Sequence, residues 1–156
     1  LGVSFALLDL VEQYSFDLKH TWVMETGGMK GRRKEVTREA LHSQLKKGFG
    51  VHKIFSEYGM TELMSQAYSV GEGIFECPHW MRVAARENQD PFSLLPWGQS
   101  GGLNIIDLAN RDSCAFIATE DLARVHSDKR FEVLGRLDAS EIRGCNLMAS
   151  SLLPQR

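Results

Sequence analysis

Apolar side chains at Val3, Leu7, Leu8, Leu10 and Val11 recur at a mostly helical spacing, which predicts an amphipathic helix within Leu1 to Tyr14. The period then changes. Thr21 to Glu25 (TWVME) is a short run suited to a buried strand, and Thr26-Gly27-Gly28 behind it predicts a turn. Thr37 is placed to cap a helix whose Ala40, Leu41 and Leu45 share one face, with Lys46 and Lys47 in the last turn and Gly48 as the stop. His52 to Tyr58 carries Ile54 and Phe55 toward Gly59 and predicts a second strand ending in a turn. Thr61-Glu62-Leu63-Met64 is expected to open another short helix.

Beyond Gly71 the helical period disappears and short apolar runs take over, at Gly73 to Glu76, Met81 to Ala84, Leu103 to Leu108, Cys114 to Thr119 and Phe131 to Leu134. Gly, Asn, Asp and Pro break them up, a texture closer to a β-meander or small barrel than to further parallel layers. Pro91, Pro96, Gly98, Gly101 and Gly102 cluster in a loop expected to separate the two parts. The fold class expected is therefore α/β. An α/β portion over residues 1–90 precedes a β-rich portion over 91–135 and a tail over 136–156, of which Ser150 to Arg156 reads as frayed.

Composition narrows the class. The 156 residues, 43% of them hydrophobic, suffice for a real core. Eighteen Lys+Arg against 20 Asp+Glu leave a net charge of −2, which argues against a surface that tracks nucleic-acid phosphates. No apolar run approaches the roughly 20 residues that span a bilayer, and no signal peptide is visible, so a cytoplasmic location is the expectation. The chain begins at Leu1, inside a segment that already reads as helix, which suggests a piece of a longer protein.

Cys77, Cys114 and Cys145 are odd in number and far apart, which speaks against a disulfide framework and against a zinc site. Cys77 and Cys114 lie in strand-like apolar runs and are expected to pack in the core. His20, His42, His52 and His126 show no metal-ligand spacing. The basic run Lys30 to Lys34 reads as a solvated loop. His79 and Trp80 follow Pro78 and could edge an apolar pocket, although a structural histidine is the plainer reading.

Four polar segments close strand-like runs: Thr26-Gly27-Gly28-Met29, Tyr58-Gly59-Met60-Thr61-Glu62, Thr119-Glu120-Asp121-Leu122 and Gly135-Arg136-Leu137-Asp138. Ligands of open α/β sheets bind beyond the carboxyl ends of strands, so that location has chemical meaning. The residue types suit one nucleotide. Paired glycines admit a flat base against bare backbone, a tyrosine offers an opposing ring, a carboxylate can take two ribose hydroxyls, and an arginine can meet phosphate. Thr and Glu side by side suit phosphate and Mg²⁺.

In this order the four segments resemble the later core motifs of the adenylate-forming superfamily, over residues 25–138. The resemblance implies the C-terminal portion of such an enzyme's core, using ATP and Mg²⁺. It implies that Gly27, Gly28 and Met29 line the adenine, that Tyr58, beside Gly59, stacks on it, that Thr61 holds the α-phosphate and that Glu62 ligates Mg²⁺. Asp121 would take the ribose hydroxyls, Arg136 would reach ribose or phosphate, and Asp138 would occupy a hinge.

Glu25-Thr26-Gly27-Gly28 with Lys30-Gly31, Ser56 to Leu63, Asp107-Leu108-Ala109-Asn110 and Arg143-Gly144-Cys145-Asn146-Leu147 are more specifically similar to acyl-protein synthetases of the LuxE type. That resemblance implies fatty acid or another carboxylate as substrate, Cys145 as the acyl acceptor, and an acyl-CoA reductase or acyltransferase as partner. A thiolate near Arg143 suits that role, because a neighbouring cation favours ionisation of the thiol. Four departures stand out: the Gly/Ser/Thr-rich phosphate loop ending in lysine is absent, as is the lysine-bearing C-terminal domain that usually assists adenylation, Glu120 stands where the superfamily has glycine, and Ala139 replaces a second Asp after Asp138. An acyl- or aryl-CoA ligase, and a nucleotide-binding domain without turnover, are the alternative readings.

Overall fold

The structure, a computed structural model, describes residues 1–29, 32–34 and 36–137. A short strand β1 (Gly2–Val3) leads into helix α1 (Ser4–Gln13) and then strand β2 (Val23–Thr26). Helix α2 (Arg38–Phe49) follows, with the Thr37 hydroxyl accepting from the Ala40 amide at 3.3 Å, as its capping position predicts. Strand β3 (Ile54–Tyr58) completes this part, and β1, β2 and β3 pair in parallel. Leu8 from α1 and Leu41, Leu45 and Phe49 from α2 bury against Val23 and Ile54. That cluster is the core of the α/β part.

Gly48 is not a stop. Helix α2 runs one residue past it and ends at Gly50, whose φ of 66° is the left-handed C-cap favoured by glycine. A Cβ at position 48 would lie 2.3 Å from the Val11 Cβ, so Gly48 is the point where the two helices touch.

The remaining strands are β4 (Ala67–Ser69), β5 (Ile74–Glu76), β6 (Met81–Arg86), β7 (Ser100–Asp107), β8 (Phe116–Ser127) and β9 (Arg130–Arg136). All strands join one sheet in the order β1-β2-β3-β4-β5-β9-β8-β7-β6, antiparallel from β3 onward. The expected meander is therefore present, continuous with the α/β layer. The Pro91 to Gly102 segment, expected between two parts, lies inside the meander instead: it joins β6 to β7, which pair directly, and Gly101 and Gly102 belong to β7.

The sheet coils. Leu63 and Ala67, near β4, share a core with Met81 and Val83 of β6 and Phe131 of β9, although β4 and β6 are far apart in sheet order. Coiling of a twisted antiparallel sheet lets its inner face close on itself and bury a second hydrophobic cluster. Cys77 lies in this core, and its burial pushes the thiol up to about 12. Cys114 does not follow: it is exposed, in the loop just ahead of β8.

No helix forms at Thr61 to Met64, which is a turn between β3 and β4. Continuing a helix would need the Met64 and Ser65 amides for carbonyls four residues back, and both amides are engaged by the side chain of Asp107. Arg32 and Arg33 of the basic run are also more tied down than a solvated loop. Arg33 pairs with Asp9 at 3.1 Å and with Glu12 at 2.5 Å on α1, and Arg32 lies over the Phe5 ring.

Candidate functional site

Strands β2 and β3 set the first part of the site. Parallel register places Thr26 level with Glu57, so one residue further along each strand stand Gly27 and Tyr58. Gly27 has a φ of 66°, a left-handed turn that glycine enters without steric cost, and a side chain at Gly28 would meet open space. The turn is anchored from behind. The Ser4 hydroxyl donates to Glu25 Oε2 at 2.7 Å and sits 3.1 Å from the Gly27 carbonyl.

Glu25 is itself buried, within reach of His42 Nε2 at 3.5 Å and Arg38 at 3.7 Å, and His42 contacts Ser56 Oγ at 3.3 Å. Burial raises the Glu25 carboxyl. Hydrogen bonds from His42, Ser56 and Ser4, with the Arg38 charge, outweigh it and hold the group below the usual carboxylate range.

Met29 does not join the glycine turn. It is 2% exposed within the core under α1 and α2. An apolar side chain after a glycine turn can lie along the ligand or drop into the core, and here the core takes it.

Tyr58, the last residue of β3, packs edge-on against Phe75 and Phe131 and donates its hydroxyl to Asp121 Oδ2 at 2.6 Å. Burial, then the accepting carboxylate, push the phenol well above its ordinary value. Residues 63 positions apart in the chain are joined here, across a sheet whose order puts three strands between β3 and β8. Coiling closes that distance.

Asp121 does not end a strand. It lies in the middle of the 12-residue β8, opposite Arg136 at the end of β9. Register shifts at Gly102/Asn104 and Leu122/Ala123 flank this stretch, and such bulges re-aim side chains at a sheet's rim. Thr119 stiffens it, accepting from the Asp121 amide at 3.1 Å and donating to the Leu103 carbonyl at 3.0 Å. Arg136 approaches Asp121 Oδ1 at 3.4 Å and pairs with Glu120 at 2.9 Å. Glu120 thus holds the guanidinium at the rim. Its side chain and that of Arg136 are 76% and 67% exposed, so the pair adds little stability.

Thr61 and Glu62 are exposed, and among the described residues their side chains make no hydrogen bond or ion pair. Their backbone is pinned: Asn110 Nδ2 donates to the Glu62 carbonyl at 2.5 Å. The structure brings Tyr58, Asp121 and Arg136 into contact and sets Gly27 beside Tyr58. Asp107, Asn110 and Ser4 were not identified from the sequence as supports. Asp107 and Asn110 were visible there only as part of a similarity segment, with no role attached. Asp138, Ala139, Arg143, Gly144, Cys145 and the tail 150–156 lie outside the described residues. Among the described residues no cluster of His, Cys, Asp and Glu is arranged to hold a metal, and no helix is long and apolar enough to cross a membrane.

Solved structures share this arrangement of strands. O-succinylbenzoate coenzyme A synthetase from Bacillus subtilis, in complex with ATP and magnesium ion, superposes with a TM-score of 0.58 at 20% identity, covering 86% of this chain and 30% of that one. Over that span the chain shares the fold of that synthetase. MatB from Rhodopseudomonas palustris gives 0.58 at 16% identity, with 86% and 30% coverage. A mutant form of coronafacic acid ligase from Pectobacterium brasiliense gives 0.60 at 18%, with 86% and 28% coverage. The chain therefore spans about 30% of the length of the enzymes it matches. No protein-family model and no curated protein matches it.

Proposed function

We propose that this chain is the ATP-binding C-terminal portion of an acid-activating ligase of the acyl-protein synthetase kind. The observation that carries the reading is the Tyr58 to Asp121 hydrogen bond at 2.6 Å, with Arg136 beside the same carboxylate and the Gly27 turn beside the same tyrosine. Four segments distant in sequence meet on one rim. Gly28, where a side chain would meet open space, lies on the same turn as Gly27 and supports the reading.

The residues fit the ligands. Gly27 and Gly28 would admit adenine, with Tyr58 and Gly59 beside them on the neighbouring strand. Asp121 keeps lone pairs for ribose hydroxyls beyond those used by Tyr58 and Arg136, because a carboxylate offers about four acceptor positions. Thr61 and Arg136 face phosphate, and Glu62 would hold Mg²⁺, which supplies charge neutralisation at the phosphates. The reaction is a two-step acyl transfer. A carboxylate attacks the α-phosphorus of ATP, breaking its bond to pyrophosphate and giving acyl-AMP; a thiolate then attacks the acyl carbon and AMP leaves. The protein contributes position and electrostatics. In this reading Cys145 is the thiol, the acid is a fatty acid, and the thioester passes to an acyl-CoA reductase or acyltransferase.

A second reading has a specific observation behind it: one of the similar solved structures is by name a coenzyme A synthetase, which would make coenzyme A the acceptor. One experiment separates the two. Full-length protein is given Mg·ATP and radiolabelled fatty acid. Hydroxylamine-sensitive label on the protein that disappears in Cys145→Ser, with pyrophosphate exchange retained, supports the acyl-protein reading. Label found on coenzyme A alone refutes it, and absence of pyrophosphate exchange in the wild type refutes both. Asp121→Ala should weaken ATP binding by about 1.5–3 kcal/mol through loss of charge-assisted bonds to ribose. Unchanged ATP affinity in a calorimetric titration returns Asp121 to a structural role.

A further inference from the structure

Asp107, the last residue of β7, is 0% exposed. Among the described residues no Lys, Arg or His pairs with it, so its charge is balanced by hydrogen-bond donors alone. Oδ2 accepts from the Met64 amide at 3.1 Å and the Ser65 amide at 2.9 Å, and Oδ1 accepts from Ser65 Oγ at 2.7 Å and the Ala109 amide at 3.1 Å. Burying an unpaired carboxylate is costly unless its lone pairs are filled, and here four donors fill them. A neutral side chain of this size could not accept from all four.

Those donors lie in two places, the turn that carries Thr61 and Glu62 and the short 3-10 turn Leu108–Asn110. The second also sends Asn110 to the Glu62 carbonyl at 2.5 Å. Trp80 Nε1 donates to Ser65 Oγ at 2.8 Å and completes the clamp. The only bond within the Gly59 to Gln66 backbone that the structure records is Leu63 N–H to the Met60 carbonyl at 3.1 Å. The shape of the turn is therefore imposed from β7, a strand that does not neighbour β3 or β4 in the sheet.

We propose that Asp107 is a positioning residue that fixes the Thr61-Glu62 turn so that both exposed side chains meet the phosphate end of the nucleotide. This rests on the reading of that turn as the phosphate and Mg²⁺ contact. Asp107 acts on the phosphate end and leaves the adenosine end, built by Gly27, Tyr58 and Asp121, untouched.

The test uses the full-length protein with Asp107→Asn, and with Ser65→Ala as a milder variant should Asp107→Asn not fold. Amide hydrogen exchange comes first. Protection at Met64 and Ser65 should fall about tenfold to a hundredfold in Asp107→Asn, since bonds to a charged acceptor are the strong ones, while amides of β2 and β3 keep theirs. In Ser65→Ala, where one donor to Oδ1 is gone, the Ser65-position amide should lose protection by a few-fold. Unchanged protection at these amides overturns the proposal. Titrations with Mg·ATP and with adenosine come second: Asp107→Asn should weaken Mg·ATP about tenfold and change adenosine less than about twofold. Equal losses for both ligands also overturn it, because they signal general damage. If the wild type binds neither ligand, the nucleotide reading fails and with it the functional half of this proposal, while exchange still judges the clamp.

Discussion

Tyr58→Phe isolates the contact on which the site is built. The substitution removes one oxygen and keeps the ring, so the edge-on contacts with Phe75 at 5.8 Å and Phe131 at 5.2 Å survive. What goes is a 2.6 Å donor to a buried carboxylate. A bond to a charged acceptor contributes about 1.5–3 kcal/mol, and Arg136, at 3.4 Å and largely exposed, can offset only part of its loss. The expected net destabilisation is about 1.5 kcal/mol, which for a chain of this size lowers Tm by about 3–6 °C. Urea unfolding at neutral pH measures it. Asp121→Asn and the double variant complete a cycle whose coupling should be about 1 kcal/mol, whereas single effects that add within about 0.3 kcal/mol would refute the bond.

Alkaline pH gives an independent signature of the same contact. The folded phenol is raised above its unfolded value of about 10, so its stabilising contribution is complete below that pH and declines as pH rises beyond it. Tyr58→Phe should lack this part of the alkaline decline. A variant that loses stability above pH 10 as steeply as the wild type would contradict the assignment.

Glu25→Gln tests another buried carboxylate: its folded value is depressed, so its contribution is complete above the unfolded value of about 4.3 and is lost as pH falls through the lower folded value. The stability gap between wild type and variant should therefore be wide at pH 7 and narrow toward pH 3, and a gap that widens on acidification would reverse the reading. Gly48→Ala should destabilise by up to about 2 kcal/mol, because forcing apart α1 and α2 costs about 1–3 kcal/mol while alanine's helix propensity returns about 1. In a Val11→Gly background the cost of Gly48→Ala should shrink in thermal melts, and a Gly48→Ala chain more stable than wild type would rule out the close approach.

The elements whose causes are local could be read from the chain. Helix α2 announces itself through the Thr37 cap and the Leu41/Leu45 face, and β2 and β3 through short apolar runs before glycine. The residues of the candidate site could be named as types, because each proposed chemistry needs a particular side chain. What the sequence alone could not decide were outcomes that depend on a distant partner. Gly48 looks like a helix stop until Val11 is known to lie against it. Thr119-Glu120-Asp121 looks like the end of a strand, because charge interrupts an apolar run, until β9 pairs alongside and carries β8 onward. Thr61 to Met64 has helix-forming residues, but the amides a helix would need are held by Asp107, 42 positions away from Ser65. Coiling of the sheet is the cause in the last case, as it is for the Tyr58 to Asp121 contact. Periodicity reports which face of a strand is apolar, while the curvature that brings β7 to the β3–β4 turn and Asp121 to Tyr58 arises from packing the whole inner face at once.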